Sequence, residues 1–143
     1  CSLIYEFFPD AAITTDIIVG FPTETEEDFL QSLSIVEEAG FARVHAFPYS
    51  RRAGTNAAKL PELSAAVKKE RMERMLVCAQ AAEERYCARF IGREMEAVFE
   101  SDGGYTRNYI RVHADGAREG EVCRVRLSGR EKDGMRAEIL EKL

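Results

Sequence analysis

The spacing of apolar residues changes twice within the first fifty positions. Ile13, Ile17, Ile18 and Val19 make residues 12–20 nearly continuous in apolar side chains, the pattern of a strand covered on both faces. Gly20 ends it, and Pro22 holds Phe21 extended. From Thr25 the period becomes helical. Phe29, Leu33 and Val36 share one face, Thr25 is placed to cap, and Gly40 lies just past the helix end. Glu26, Glu27 and Asp28 fall in the first turn, where the helix dipole favours acids. Three consecutive helical residues cannot converge on one ion, so capping is the better reading than a metal site. Residues 42–47 form the next strand, stopped by Pro48. A strand–helix–strand run predicts parallel pairing with a right-handed crossover, and ligands collect outside the carboxyl ends of such strands. Those ends carry Gly20-Phe21-Pro22-Thr23-Glu24 and Tyr49-Ser50-Arg51-Arg52.

Residues 49–63 read as a loop containing Gly54, Asn56 and Pro61. A long helix over residues 64–90 follows, with Ser64 as N-cap. Its apolar stripe is Val67, Met75, Cys78, Ala79, Ala82, Tyr86 and Phe90, and Lys68, Lys69, Arg71, Arg74 and Arg85 make much of the rest. Past Gly92 the period drops to two. Strands are predicted at residues 95–100, 105–114, 122–127 and 135–140, with turn chemistry between them, which suggests a small antiparallel β-barrel. The chain therefore divides into an α/β domain over residues 1–90 and a β domain over residues 91–143. Two βα units cannot close a sheet around a core. The first domain should expose a sheet edge and an apolar face, and self-associate through them.

A hydrophobic fraction of 45% and a charged fraction of 31% describe an ordinary globular protein, and no apolar run is long enough to cross a bilayer. The first nine residues do not form a signal peptide. They lack an initiator Met and run straight into packed-looking sequence, as at the cut edge of a longer protein. Cys1, Cys78, Cys87 and Cys123 have no metal-ligand spacing and read as reduced thiols in a cytoplasmic protein, with no metal site in this chain. The net charge of −5 conceals an asymmetry: −9 over residues 1–42, +6 over 43–93 and −2 over 94–143. A basic middle keeps nucleic acid open as a partner.

Within the β domain, Tyr105, Arg107, Tyr109, Arg111 and His113 alternate onto one face of a single predicted strand, while Thr106, Asn108, Ile110 and Val112 take the other. Interleaved aromatic and basic groups suit base stacking and phosphate pairing. Arg124 and Arg126 alternate likewise on the next strand, and seven of the nine basic residues after position 93 are Arg. A solvated sheet face explains the same pattern equally well. His45, between apolar neighbours, reads as a core or pocket histidine rather than a base, and no nucleophile–base pair marks a catalytic residue.

The two glycine- and proline-bearing segments, Asp16-Ile17-Ile18-Val19-Gly20-Phe21-Pro22-Thr23-Glu24 and Phe47-Pro48-Tyr49-Ser50-Arg51-Arg52-Ala53-Gly54-Thr55-Asn56-Ala57-Ala58, together resemble the radical S-adenosylmethionine methylthiotransferases. The resemblance continues through Phe90-Ile91-Gly92-Arg93-Glu94 into a tail like that family's C-terminal TRAM domain, so it covers essentially the whole chain. It implies the last strands of a TIM-like radical-SAM barrel followed by an OB-like RNA-binding barrel. By position, Ile18 and Gly20 would lie beside the adenosine of S-adenosylmethionine, and Phe47 and Tyr49 near its adenine. Arg51 and Arg52 would stand at the rim toward substrate. Tyr105, Arg107, Tyr109, Arg111, His113, Arg124 and Arg126 would meet tRNA at the anticodon stem-loop. The family usually has Gly where this chain has Thr23.

The family's CxxxCxxC motif is absent, so the resemblance places two 4Fe–4S clusters in preceding domains of the same protein and none here. It also implies reductive cleavage of S-adenosylmethionine, with sulfur insertion and methylation of the target, none of it performed by this piece alone. Ile13-Thr14-Thr15-Asp16 with Val44-His45-Ala46-Phe47-Pro48-Tyr49 is most similar to the branch acting on N6-threonylcarbamoyladenosine in tRNA. The branches acting on isopentenyladenosine tRNA or a ribosomal-protein aspartate match less well. Two non-enzymatic alternatives are a stand-alone RNA-binding module and a ligand-binding α/β fragment.

Overall fold

The computed structural model describes residues 1–131 and 133–143. It resolves into two compact units. The first comprises Cys1–Leu3 and Ile13–Glu83, the second Ile4–Ala12 and Glu84–Leu143.

In the first unit, β1 (Thr14–Val19) and β2 (Arg43–Pro48) pair in parallel, with Ile18 opposite Phe47 and Asp16 opposite His45. Between them runs α2 (Glu26–Ala39). Its start is a complete capping box: the Thr25 hydroxyl accepts from the Asp28 amide, and the Asp28 carboxylate accepts from the Thr25 amide at 2.9 Å. Its end is Gly40, in the left-handed conformation that glycine reaches without a Cβ clash. The long helix α3 (Ala65–Ala88) begins where the Ser64 hydroxyl accepts from the Val67 amide. Val19, Phe29, Val36, Val44, Met75, Ala79 and Ala82 form the core between the strands and these helices.

Two expectations change here. β1 is covered on one face only, because the helices pack against Ile17, Val19 and Val44 while Asp16, Ile18, His45 and Phe47 remain exposed. His45 is therefore not a core histidine. Arg71, expected on the polar side of α3, is 5% exposed. It lies one turn before Met75 on the buried stripe, with its guanidinium over the Phe29 ring at 5.5 Å.

The second unit is a closed barrel of five strands in the order β3-β4-β5-β7-β6. These are β3 (Glu94–Glu100), β4 (Gly103–Thr106), β5 (Arg111–His113), β6 (Val122–Glu131) and β7 (Gly134–Lys142). The single strand expected over residues 105–114 is a hairpin. Tyr105 pairs with Arg111, the Tyr109 amide donates to the Thr106 carbonyl at 2.9 Å, and Tyr109 takes φ +60° at the tip. A three-residue loop closing on a left-handed residue is a standard hairpin connection.

That reversal also corrects the antiparallel expectation. With five strands around a closed ring, neighbours cannot all alternate in direction, so one pair must be parallel. It is β5 with β7. Gly134 starts β7 where a Cβ would fall 2.6 Å from the Arg111 carbonyl oxygen, so only glycine lets the two backbones approach. Inside the barrel, Ala97, Phe99, Val112, Cys123, Val125, Leu127 and Met135 are buried at alternating positions. The short helix α1 (Ser2–Phe7) precedes the barrel's N-terminal flank and was not anticipated from the sequence.

Candidate functional site

The carboxyl ends of β1 and β2 carry a turn that is locked from within its own unit. Residues 21–24 close a turn through the Glu24 amide, which donates to the Phe21 carbonyl at 2.9 Å, with Pro22 second and Thr23 third at φ +74°. The third position of such a turn favours glycine, and a β-branched side chain there is strained. Thr23 therefore keeps the turn that glycine would make, under strain. The Glu24 carboxylate folds back to accept from the Gly20 amide at 3.1 and 3.2 Å. It is held by Arg71, whose Nη1 donates to Glu24 Oε1 at 2.6 Å and to the Glu24 carbonyl at 3.0 Å. Both side chains are about nine-tenths buried. Arg71 Nε lies 3.4 Å from Glu26 Oε2, near enough for attraction although the bond is not aligned.

Gly20 has φ +76°, and the Lys68 stem lies over it: a Cβ at this position would fall 2.6 Å from Lys68 Cγ. The Lys68 ammonium donates to Glu62 at 2.9 Å, and Arg51 Nε donates to the other oxygen at 2.6 Å. These two hydrogen bonds, Lys68 first, hold the Glu62 carboxyl below its ordinary range. Arg51 is thus turned toward Glu62 and the Leu60 carbonyl, and both it and Arg52 are exposed. Ile18 and Phe47 stand opposite each other on the open face, each about half exposed. Tyr49 meets Phe21 edge-on at 5.3 Å, and its hydroxyl is buried with no hydrogen-bond partner among the described residues. Ile18 and Phe47 thus form an exposed apolar platform, while the Tyr49 hydroxyl is enclosed. The Gly20 amide is already taken by Glu24.

On the barrel, the seven basic and aromatic residues expected on one surface fall into separate groups. Arg111 donates to Asp102 Oδ2 at 2.7 Å and lies 3.3 Å from Asp133, while His113 Nε2 is 3.0 Å from Asp133 Oδ1. The hydrogen bond from His113 holds the Asp133 carboxyl below its ordinary range. Tyr105 lies under the Arg111 guanidinium, and Arg126 is paired with Glu94 at 2.7 Å. Arg107, Tyr109 and Arg124 instead line a cleft of about 850 Å³, whose other wall is residues 7–12.

That wall contributes residues the sequence reading missed. Asp10 and Arg93 form a two-pronged ion pair, each contact 2.7 Å, and the Arg93 hydrogen bond draws the Asp10 carboxyl down. Beneath it, Asn108 accepts from the Thr106 hydroxyl at 2.6 Å and donates to the Tyr86 hydroxyl at 2.9 Å, while Tyr86 donates to the Asp10 carbonyl at 2.9 Å. Burial raises the Tyr86 hydroxyl to about 12. The one signal in the sequence is Asn108, a turn-former whose spacing placed it on the inward face. Among the described residues, no group of three or more His, Cys, Asp or Glu side chains is placed to hold a metal ion. No described helix is long and apolar enough to cross a membrane.

The strand-edge platform and the cleft-bearing barrel occur in a chain whose relatives are named for reactions on tRNA. It is 42% identical over 131 residues to a tRNA-2-methylthio-N(6)-dimethylallyladenosine synthase from Thermobifida fusca, covering 91% of this chain and 24% of that protein. It is 38% identical over 146 residues to a threonylcarbamoyladenosine tRNA methylthiotransferase from Thermotoga maritima, covering 93% of this chain and 33% of that protein. Another protein of the latter name, from Bacillus subtilis, is 33% identical over 132 residues, covering 83% of the chain and 29% of its own length. No family model matches the chain. Over the stretch it covers, the chain belongs to the tRNA methylthiotransferases. It spans about a quarter to a third of the length of these relatives.

Proposed function

We propose that the chain is the cofactor-wall and RNA-gripping part of an enzyme that adds a methylthio group to a modified adenosine in tRNA. The observation that carries this is relatedness at 33–47% identity to proteins named for that reaction. In this reading the first unit is the last part of a TIM-like radical-SAM barrel, and the second is an OB-like TRAM barrel that takes the anticodon stem-loop. S-adenosylmethionine would be held in part by Ile18, Gly20, Phe47 and Tyr49, and would supply radical chemistry at the target carbon. The two 4Fe–4S clusters that this requires belong to other domains of the whole protein.

The residues of this chain have passive roles. Ile18 and Phe47 present the apolar surface on which an adenosine lies, and the Tyr49 ring, packed on Phe21, stands near the adenine. Gly20 keeps the strand end low, although its amide serves Glu24 rather than a ligand. Arg51 and Arg52 face the substrate side, Arg51 after release from Glu62. On the barrel, Tyr105, Arg107, Tyr109, Arg111, His113, Arg124 and Arg126 supply the RNA contacts.

The wording around Ile13–Asp16 and Val44–Tyr49 favours threonylcarbamoyladenosine as the target. A specific observation also favours dimethylallyladenosine: relatives bearing that name reach 47% identity, against 38% for the other kind. Mass analysis of tRNA nucleosides from cells expressing the whole protein separates the two. We expect the methylthio derivative of one modified adenosine, reduced in Phe47→Asp. Absence of both derivatives would refute the reading.

A further inference from the structure

We infer that the cleft between residues 7–12 and the β4–β5 hairpin tip is a stacking site for an unpaired RNA base, with Tyr109, Phe7 and Phe8 as its aromatic walls and Arg107 as its phosphate contact. The inference rests on the RNA-binding role proposed above and narrows it to a part of the barrel surface. Tyr109 is 81% exposed, and Phe7 and Phe8 are each 68% exposed. Aromatic rings this bare contribute little to the unit's own packing, and all three line one cleft. Tyr109 also occupies a left-handed backbone conformation, φ +60°, where a bulky residue is strained. Strain of this kind concentrates at functional positions.

The cleft is held open from below. Asn108, in the hairpin tip, is buried and hydrogen-bonded to Tyr86 at 2.9 Å and to the Asp10 carbonyl at 3.4 Å, so one amide ties both walls to α3. A preorganised gap loses little conformational freedom when filled. Its charge selects the ligand. Asp10 is bound to Arg93 and Glu94 to Arg126, which neutralises two of the lining acids. Arg124 is held by Glu141 at 3.0 Å. Among the described residues, no hydrogen bond or ion pair engages the Arg107 guanidinium; its charge acts only at longer range on Asp10, which already has Arg93, so a phosphate can compete for it. Glu96, the lining acid that has no arginine partner among the described residues, repels a phosphate but accepts from the amino group of a base. Aromatic faces, one available cation and one hydrogen-bond acceptor fit a nucleotide presented singly. A base kept in a duplex cannot enter.

The test is binding of the 143-residue chain to an RNA stem-loop carrying 2-aminopurine in its loop, beside a fully paired duplex of the same strand. The wild-type chain should bind the stem-loop more tightly and quench its fluorescence by stacking. Tyr109→Leu should weaken stem-loop binding about 5- to 150-fold, the equivalent of one stacked base, and abolish the quench, whereas Tyr109→Phe retains both. Phe8→Leu should act in the same direction, and Arg107→Gln should lower the salt slope by about one. Because these side chains are exposed, thermal melting should show the variants folded. If Tyr109→Leu and Phe8→Leu bind and quench like wild type, the cleft is not the site although RNA binding stands. If the wild-type chain binds neither RNA, the RNA-binding reading itself falls. If sedimentation shows a dimer that these two substitutions disperse while RNA binding persists, the cleft belongs to a second copy of the chain.

Discussion

In the first unit two strands offer Val19 and Val44 to a pair of helices and leave Ile18 and Phe47 half exposed on the opposite face. In the second, five strands of 3 to 10 residues close on themselves, and Val112, Val125, Leu127 and Met135 are shielded completely. The same chain thus stabilises sheet in two ways. Ring closure satisfies every strand edge and needs no partner. A two-stranded sheet has little stability of its own and depends on what is packed against it. The comparison shows where order in the first unit originates. Beyond its one-sided core, that unit relies on polar ties, above all Arg71 to Glu24 and Glu24 to Gly20.

The contrast is most exposed to failure at Arg71. Arg71→Met strands a mostly buried Glu24 carboxylate and should cost about 3–5 kcal/mol by urea unfolding, with much of the loss recovered in the Arg71→Met/Glu24→Met double variant. A coupling near zero between the two positions would show that the tie is not what holds the turn.

A comparable loss is expected inside the barrel. Leu127→Ala, at a position with no exposure, should cost about 2–5 kcal/mol, while Phe47→Ser on the open face of the first unit should stay within about 0.5 kcal/mol. Equal losses from the two would mean that the open face is covered after all.

The smallest effect concerns Thr23. Thr23→Gly relieves a left-handed threonine and should raise stability by about 1 kcal/mol, less whatever glycine's freedom returns to the unfolded chain. A destabilised variant would indicate that the hydroxyl or methyl of Thr23 makes a contact that outweighs its backbone strain.

The sequence conveyed the two units unevenly. Strand, capped helix and strand were legible because each boundary carries its own chemistry: Gly20, the Thr25–Asp28 box, Gly40 and Pro48. The one-sided cover of β1 was not legible in its apolar run, which looks the same whether its second face is covered or left bare, although two βα units alone implied that some apolar face stays open. The burial of Arg71 was hidden by its charge, although its spacing to Met75 placed it on the inner stripe. In the barrel, the Arg107–Tyr109 tip escaped notice because the hairpin keeps inward and outward residues in step across the reversal. Its left-handed position is also filled by Tyr rather than the expected Gly or Asn. Of the seven surface residues read as RNA contacts, alternation correctly placed each as outward or partly outward, but it could not see that acids 9 to 22 positions away in the chain engage Arg111 and His113.

Gly20 has a consequence for how inactive variants are interpreted. Its backbone conformation strains any side chain, and the missing Cβ is also the space through which the Lys68 stem passes. An alanine at this position would push the lysine away from Glu62 and, through Glu62, loosen Arg51. Loss of activity in Gly20→Ala would therefore report a jammed hinge of side chains as readily as a blocked cofactor, and in a mutational scan it should be scored beside Lys68→Ala before position 20 is counted as a ligand contact.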